Sequence, residues 1–352
     1  MGKAISAIKI VLEDEERKSI VRVLKESFHY MMIEKELPYC YFTSLLYKKD
    51  APDYRNFIGF KKVYNIIDNY MYKNGRNKEL EDKRNFGETV LAAGLNTPRI
   101  LASSTLEGEK VLLVRNEQES LIENVSLLKR ELEEMIDKSF SNSIFVKPSD
   151  GEGGVHTYKL CYDNLNREDI ETLWEAMQIE SFVFQENIVQ NERINKIYDK
   201  SINTIRIHTY FHEEENKVEI ISALMRFGFG GSIVDNGCSG GFFVPVNIKE
   251  WKLCGKGRTY LVAGAKTFET HPDTKVKLDG YQLPFADEII RYVTEGAKLF
   301  SDNKFIGWDI ALTENGPIVI EANAGPHVVM LQMACGGIKA HPRYKEIFKD
   351  YI

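Results

Sequence analysis

The stretch Ser143-Ile-Phe-Val-Lys147-Pro148-Ser149-Asp150-Gly151-Glu152-Gly153-Gly154-Val155 runs a short apolar strand into a lysine and then into a glycine-dense loop. A loop of this composition curls backbone N–H groups around phosphate oxygens, and the lysine adds a positive charge. That is a nucleotide site in outline. A tight β-hairpin carrying a surface lysine also fits, because glycine clusters mark turns generally. No GK[ST] ends the loop and no GxGxxG opens a helix, so neither a Walker loop nor a dinucleotide fingerprint is present.

Working outward, the second informative segment is Phe305-Ile-Gly307-Trp308-Asp309-Ile-Ala-Leu-Thr-Glu314-Asn315-Gly316-Pro-Ile-Val-Ile-Glu321-Ala322-Asn323. It reads as two strands around an Asn-Gly turn signal. With a three-residue loop, Asp309 falls opposite Glu321, and Glu321 and Asn323 share a face because side chains alternate along a strand. Two carboxylates and an amide oxygen then converge, a hard-oxygen set suited to Mg²⁺. A polar solvent face is the other reading. It leaves an inward Glu and Asn beside an apolar run in need of other partners.

Around these segments, apolar residues recur at three- and four-residue intervals from about Leu12 to Ile67, as in Ile20, Val23, Leu24, Phe28 and Met31, then Phe57, Phe60, Val63, Ile66 and Ile67. This pattern gives a helical N-terminal region broken at Leu37-Pro38 and at 50–53. Another helix opens at Asp82-Lys83 and ends at Gly94. Strands are expected at 111–114, 143–146, 182–184, 204–211, 218–226, 305–312 and 318–320, with helices near 121–138, 167–177 and 286–300. The fold class is α+β.

The 352 residues, 43% hydrophobic, are enough for two or three packed subdomains. The 46 basic and 52 acidic residues are intermixed, net -6, which argues against a nucleic-acid partner. No apolar run is long enough to span a bilayer and no signal peptide is evident, so a cytoplasmic protein without stable membrane insertion is expected. Met1 to Ser6 match the short N-myristoylation pattern. The five cysteines are an odd, widely spaced set, which favours reduced thiols over disulfides or zinc. Cys238 reads as an incidental thiol, and His208, His212 and His327 show no metal-ligand spacing.

The pair "FVKPSDGEGG" and "GWDIALTENGPIVIEANAGP" resembles the ATP-grasp superfamily, and most closely its sugar-transfer-associated group, from about Lys83 to the C-terminus. The resemblance implies an ATP-grasp fold, two α+β subdomains clamping ATP, preceded here by the helical region. The expected divisions are a helical region at 1–80, a lid subdomain at 81–185 and a C-terminal subdomain at 186–352 that carries the metal and acceptor sites.

By the same resemblance, Lys83 in "EDKRNFGETVLAAGLNTP" and Lys147 contact ATP phosphates, together with Ser149 and the lid residues Gly151, Glu152, Gly153 and Gly154. Gln185, Glu186, Asn187 and Ile188 in "SFVFQENIV" face the adenine through backbone groups, and Glu192 falls where a ribose-binding residue is common. Asp309, Glu321 and Asn323 match the Mg²⁺ positions. In "DKSINTIRIHTYF", Arg206 is the candidate for a γ-phosphate or acyl-phosphate oxygen, because a guanidinium offers bidentate recognition. Arg226 is its companion, and with Lys147 the two make up the catalytic set.

Asp235, Asn236, Gly240, Gly241 and His271 are acceptor-side candidates, although turn residues in an exposed loop read the same way. Two departures stand out: Gln185 replaces an acid common at the hinge, and Gly307 stands where some ligases place an arginine. The resemblance implies amide formation between a carboxylate and an amine through an acylphosphate, with an amino acid and a sugar acid or amino sugar as partners in surface-polysaccharide synthesis. A small-molecule kinase and a non-catalytic nucleotide-binding protein are the alternatives.

Overall fold

The computed structural model describes residues 2–71, 80, 82–108, 110–115, 117–149, 156–165, 167–237, 240–325 and 327–348. Helices α1 (Gly2–Glu13), α2 (Ile20–Glu34), α3 (Tyr39–Thr43) and α4 (Phe60–Met71) come first, separated at the expected breakers. The buried stripe of α2 is Val23, Ser27, Tyr30 and Glu34, and it departs from the apolar periodicity. Leu24 and Phe28, expected inside, are 63% and 60% exposed. Polar contacts set this rotation. The Tyr30 hydroxyl donates to Ile58 O at 2.8 Å, and Glu34 accepts the Gly59 N–H at 2.9 Å and pairs with Lys62 and Lys339. A buried carboxylate is tolerated only with such partners.

The next helix, α5 (Lys83–Ala92), is capped by Asp82, whose carboxylate accepts the N–H groups of Arg84 and Asn85. A six-stranded antiparallel sheet follows: β1 (Ile100–Glu107), β2 (Lys110–Arg115), β3 (Gln118–Ile122), β4 (Ser143–Pro148), β5 (Tyr158–Cys161) and β6 (Phe182–Glu186), in spatial order β3-β2-β1-β6-β4-β5. Two helices, α6 (Val125–Lys138) and α7 (Arg167–Met177), bury Leu128, Leu132, Ile136, Leu173 and Met177 with Val146 and Phe184. The helix expected from near Leu121 begins only at Val125. Residues 118–122 pair with β2, and the Asn124 side chain caps α6 by accepting the Leu127 N–H at 3.0 Å.

The second sheet comprises β7 (Thr204–His212), β8 (Lys217–Gly228), β9 (Gly241–Asn247), β10 (Lys252–Leu253), β11 (Gly257–Arg258), β12 (Thr267–Phe268), β13 (Phe305–Thr313) and β14 (Gly316–Asn323). Its order is β12-β11-β9-β8-β7-β13-β14, with β10 on β9. The short α8 (Glu192–Asn195) leads into it. On its core face α9 (Ala286–Leu299) covers Ile205, Ile207, Trp308 and Ile310. Phe86, Val90 and Leu95 join this same core, and Phe86 stacks on Phe300 at 5.6 Å. Helix α5 is therefore packed into the core of the second sheet.

The chain closes with α10 (Val328–Cys335) and α11 (Tyr344–Ile347). Leu331 and Val328 of α10 share a hydrophobic cluster with Tyr30, Tyr41 and Phe57 of the N-terminal helices. Gln332, fully buried, accepts the Ile58 N–H at 2.7 Å and returns a bond to Ile58 O at 3.4 Å. The N-terminal region is thus fastened to the second lobe through backbone and core alike.

Candidate active site

A β-bulge fixes the phase of the metal-facing residues. The turn between β13 and β14 holds two residues, since Thr313 pairs with Gly316, where three had been expected. The register then shifts between Asp309 and Ile310, so that Ile310 opposes Val319 while Asp309 opposes Glu321. One residue, Ile320, is left over, and the strand changes face across it. Val319 and Ala322 consequently point to the core, and Glu321 and Asn323 point away from it. The expected Asp309–Glu321 pairing is present, produced by the bulge.

Asp309 is 2% exposed and lies beside Arg206 on the neighbouring strand β7. Arg206 grips it in bidentate fashion, Nε to Oδ1 at 2.5 Å and Nη2 to Oδ2 at 2.9 Å, and Arg226 adds Nη2 to Oδ2 at 2.9 Å. Burial opposes the charge of Asp309, but the two guanidiniums outweigh it and hold the carboxyl well below the usual range. Glu321 moves the opposite way. Burial raises its pKa, and the charge of Asp309, to which its carboxyl is hydrogen-bonded, raises it further. Asn323 hydrogen-bonds across the strand pair to Gly307 O at 3.4 Å.

Lys147 reaches this cluster from the first sheet. It sits on β4 opposite Val183, 8% exposed, within electrostatic reach of Glu321, Lys83 and Asp309. Burial, only partly offset by Glu321, lowers its pKa to about 8. Lys83, the first residue of α5, donates from Nζ to Ser149 O at 2.9 Å, so both lysines and Ser149 adjoin. Gly151, Glu152, Gly153 and Gly154 lie outside the described residues.

Arg226 is held by a scaffold that sequence reading did not find. Thr204 Oγ1 accepts from its Nε at 2.8 Å, and the Thr204 N–H and hydroxyl both donate to Asp235 Oδ2, which lies 3.5 Å from Arg226 Nε. Burial opposes the charge of Arg226, and Asp235 with Asp309 keeps it firmly protonated. Asp235, an acceptor-side candidate, anchors Arg226. Beneath it Asn203, fully buried, binds the carbonyls of Tyr198 and Ser201 at 2.7 and 3.0 Å and accepts the Gly228 N–H at 3.2 Å, while Gln190 Oε1 accepts the Asn203 N–H at 2.7 Å. A polar pair inside an apolar strand pattern was the available signal.

Other candidates divide. At the end of β6, Gln185 and Glu186 are sheet residues, and the Glu186 N–H is already donated to Arg99 O at 2.9 Å. Of the four hinge residues, Asn187 and Ile188 therefore follow the strand end. The carboxylate of Glu192 is solvent-exposed, 3.6 Å from Lys196. The Asn236 carbonyl accepts the Gly241 N–H at 2.9 Å, and Gly240 has φ +98°, so this loop is a specified turn.

His271 is a correction. It is 0% exposed, stacks on Tyr198 at 4.9 Å, and uses Nε2 on Gly228 O at 2.9 Å and Nδ1 on the N–H of Asp273 at 3.2 Å. Both nitrogens are spent on hydrogen bonds inside the core. The ligand atoms of His212, of Glu215 three residues on, and of Glu346 from α11 lie within 4.8 Å of one another. Arg343 already pairs with both glutamates.

A strand-end lysine on one sheet, facing an arginine–carboxylate cluster on the other, defines the ATP-grasp class. The model of the sugar-transfer associated ATP-grasp family matches residues 68–347, and the chain belongs to that family. Among solved structures it is similar to the ATP-grasp ligase PsnB complexed with minimal precursor, at 16% identity and TM-score 0.39, covering 77% of this chain and 60% of that one. A further structure of that ligase contains Mg and ADP. D-alanyl-alanine synthetase A from Vibrio cholerae shares 13% identity at TM-score 0.46, over 79% of this chain and 66% of that one. An L-amino acid ligase from Bacillus licheniformis shares 14% at TM-score 0.37, over 72% and 42%. The chain thus spans about 60% of the PsnB ligase. No curated protein sequence matches it.

Proposed function

We propose that this chain is an ATP-dependent carboxylate–amine ligase whose partners are an amino acid and a sugar acid or amino sugar of a surface polysaccharide. The observation that carries this reading is the convergence of Lys147 with Asp309, Glu321, Arg206 and Arg226 between two sheets. Membership of the sugar-transfer associated family supports the sugar partner. The carboxyl pair suits Mg²⁺, because two buried hard-oxygen groups in contact, one disfavouring the charge of the other, mark a position where a cation belongs. Asp309, Glu321 and Asn323 would hold the ion, and once bound it neutralises phosphate charge.

The chain's own groups do the rest. Lys83 and Lys147 balance the phosphates, and the backbone at Asn187 and Ile188 receives the adenine. A substrate carboxylate oxygen attacks the γ-phosphorus, the bond from that phosphorus to the bridging oxygen breaks, and ADP leaves with the electron pair. Arg206 and Arg226, fixed by Asp235 and Thr204, face the charge that develops. The amine lone pair then attacks the acyl carbon, the carbon–oxygen bond to phosphate breaks, and the amine proton passes to solvent.

The test is an ADP-release screen of amino acids against sugar acids and amino sugars, with mass spectrometry of the product. An amide formed with one ADP per turnover supports the reading. A phosphorylated hydroxyl without amide would replace it with a kinase.

A further inference from the structure

The N-terminal helices carry a surface that the nucleotide chemistry does not use. On α2, Val21, Leu24, Phe28 and Met32 are 63%, 63%, 60% and 61% exposed. Spaced at three- and four-residue intervals, they form one stripe along the helix. The buried stripe of the same helix holds Ser27 and Glu34. This helix therefore turns its more apolar face to solvent.

The surface continues beyond α2. Leu24, Phe28, Met31 and Pro38 line one groove of about 390 Å³, which joins the stripe to the loop at Leu37 and Tyr39, 77% and 57% exposed. Tyr39 meets Phe60 of α4 edge-on at 5.3 Å, and Phe60 lies 5.8 Å from Tyr64. A cluster of exposed apolar side chains of this kind marks an interaction surface.

Its rim carries three lysines, with one acid, Glu36, bonded to backbone N–H groups there. Lys25 and Lys35 flank the α2 stripe, and Lys61 follows Phe60. Among the described residues none of the three has an acidic partner. The nearby acids are already engaged: Glu26 binds Lys18, Arg22 and Tyr41, and Glu36 accepts the N–H groups of Phe60 and Lys61. An apolar face of Leu, Phe, Met and Tyr ringed by unpaired lysines is complementary to a surface that is uniformly anionic outside and apolar beneath.

We propose that the α2–α4 face docks this protein peripherally on anionic lipid bilayers, with Leu24, Phe28 and Met32 at the headgroup–acyl boundary and Lys25, Lys35 and Lys61 among the headgroups. This inference stands independently of the ligase chemistry.

Vesicle co-sedimentation of the full chain tests it, using phosphatidylcholine alone and with about a quarter phosphatidylglycerol at roughly 0.1 M ionic strength. The three lysines together favour the anionic vesicles by about 100-fold. Leu24→Asp with Phe28→Asp abolishes binding to both vesicle types, while Lys25→Glu, Lys35→Glu and Lys61→Glu together remove only the lipid preference. These exposed sites leave the fold intact, which circular dichroism confirms. Wild-type protein remaining in the supernatant with anionic vesicles would overturn the proposal. So would variants that bind as wild type does, or a micromolar dimer in sedimentation velocity that the Leu24/Phe28 change dissolves.

Discussion

Replacing Lys147 with methionine separates the stability of the empty cleft from its function. The ammonium is held at about 8 in the folded chain against an ordinary 10.5, chiefly because it is buried. A lysine whose folded pKa is depressed charges the folded state an energetic cost. That cost is complete below about pH 8 and disappears as pH rises through the unfolded value. The difference of about 2.5 pH units corresponds to about 3 kcal/mol at pH 7. At pH 10 the folded lysine is already neutral, and the remaining cost is below about 1 kcal/mol. Lys147→Met should therefore gain about 2.5 kcal/mol more stability at pH 7 than at pH 10, relative to wild type. In a chain of this size that is about 3 °C of melting temperature. Scanning calorimetry of both proteins without nucleotide measures it, and a second scan with Mg-ATP tests function, since the ligand-induced rise seen in wild type should be absent in the variant. A gain that is equal at the two pH values, or a loss at pH 7, would refute the electrostatic account of Lys147.

Glu321→Gln keeps a hydrogen bond to Asp309 through its amide. It should leave denaturant stability within about 1 kcal/mol while lowering Mg²⁺-dependent ADP release at least about 100-fold, read in a coupled assay across a magnesium titration. Asn203→Ala strips the buried hub under Arg226 and should cost about 3 kcal/mol in urea denaturation, because several backbone groups lose their partner together. Gly241→Ala would place a Cβ 2.2 Å from Asp235 O. Displacing that loop should destabilise by at least about 2 kcal/mol and raise the KM for ATP, the latter showing that Asp235 no longer seats Arg226.

Residues that announce themselves by type and spacing were legible in the sequence. Lys147 ends an apolar strand before a glycine loop, Asp309 and Glu321 flank an Asn-Gly turn, and Arg206 lies mid-strand. What escaped depends on contacts between distant segments. Helix α2 is rotated by the bonds of Glu34 to Gly59 and Lys339, which lie 25 and 305 residues away, and apolar periodicity carries no trace of them. The bulge at Ile320 is a one-residue adjustment between strands, so the right carboxyl pairing was expected from the wrong loop length. His271 looked like a surface turn residue because its sequence neighbours Pro272 and Asp273 are turn formers. Its burial comes from Tyr198, Phe227 and Phe242, all from other strands or loops.

The charges of the assembled site explain why its parts need one another. Lys83, Lys147, Arg206 and Arg226 converge, and Asp235, Asp309 and Glu321 oppose them. Gathering four cations in a low-dielectric cleft is costly without an anion. The lowered pKa of Lys147 reflects its burial first, with Lys83 adding to it. A nucleotide phosphate beside Lys147 would oppose the positive charge gathered there. Removing the Lys147 ammonium should therefore weaken nucleotide binding while relaxing the empty protein, the trade that Lys147→Met measures directly, whereas removing Arg206 or Arg226 would strand the buried Asp309 carboxylate.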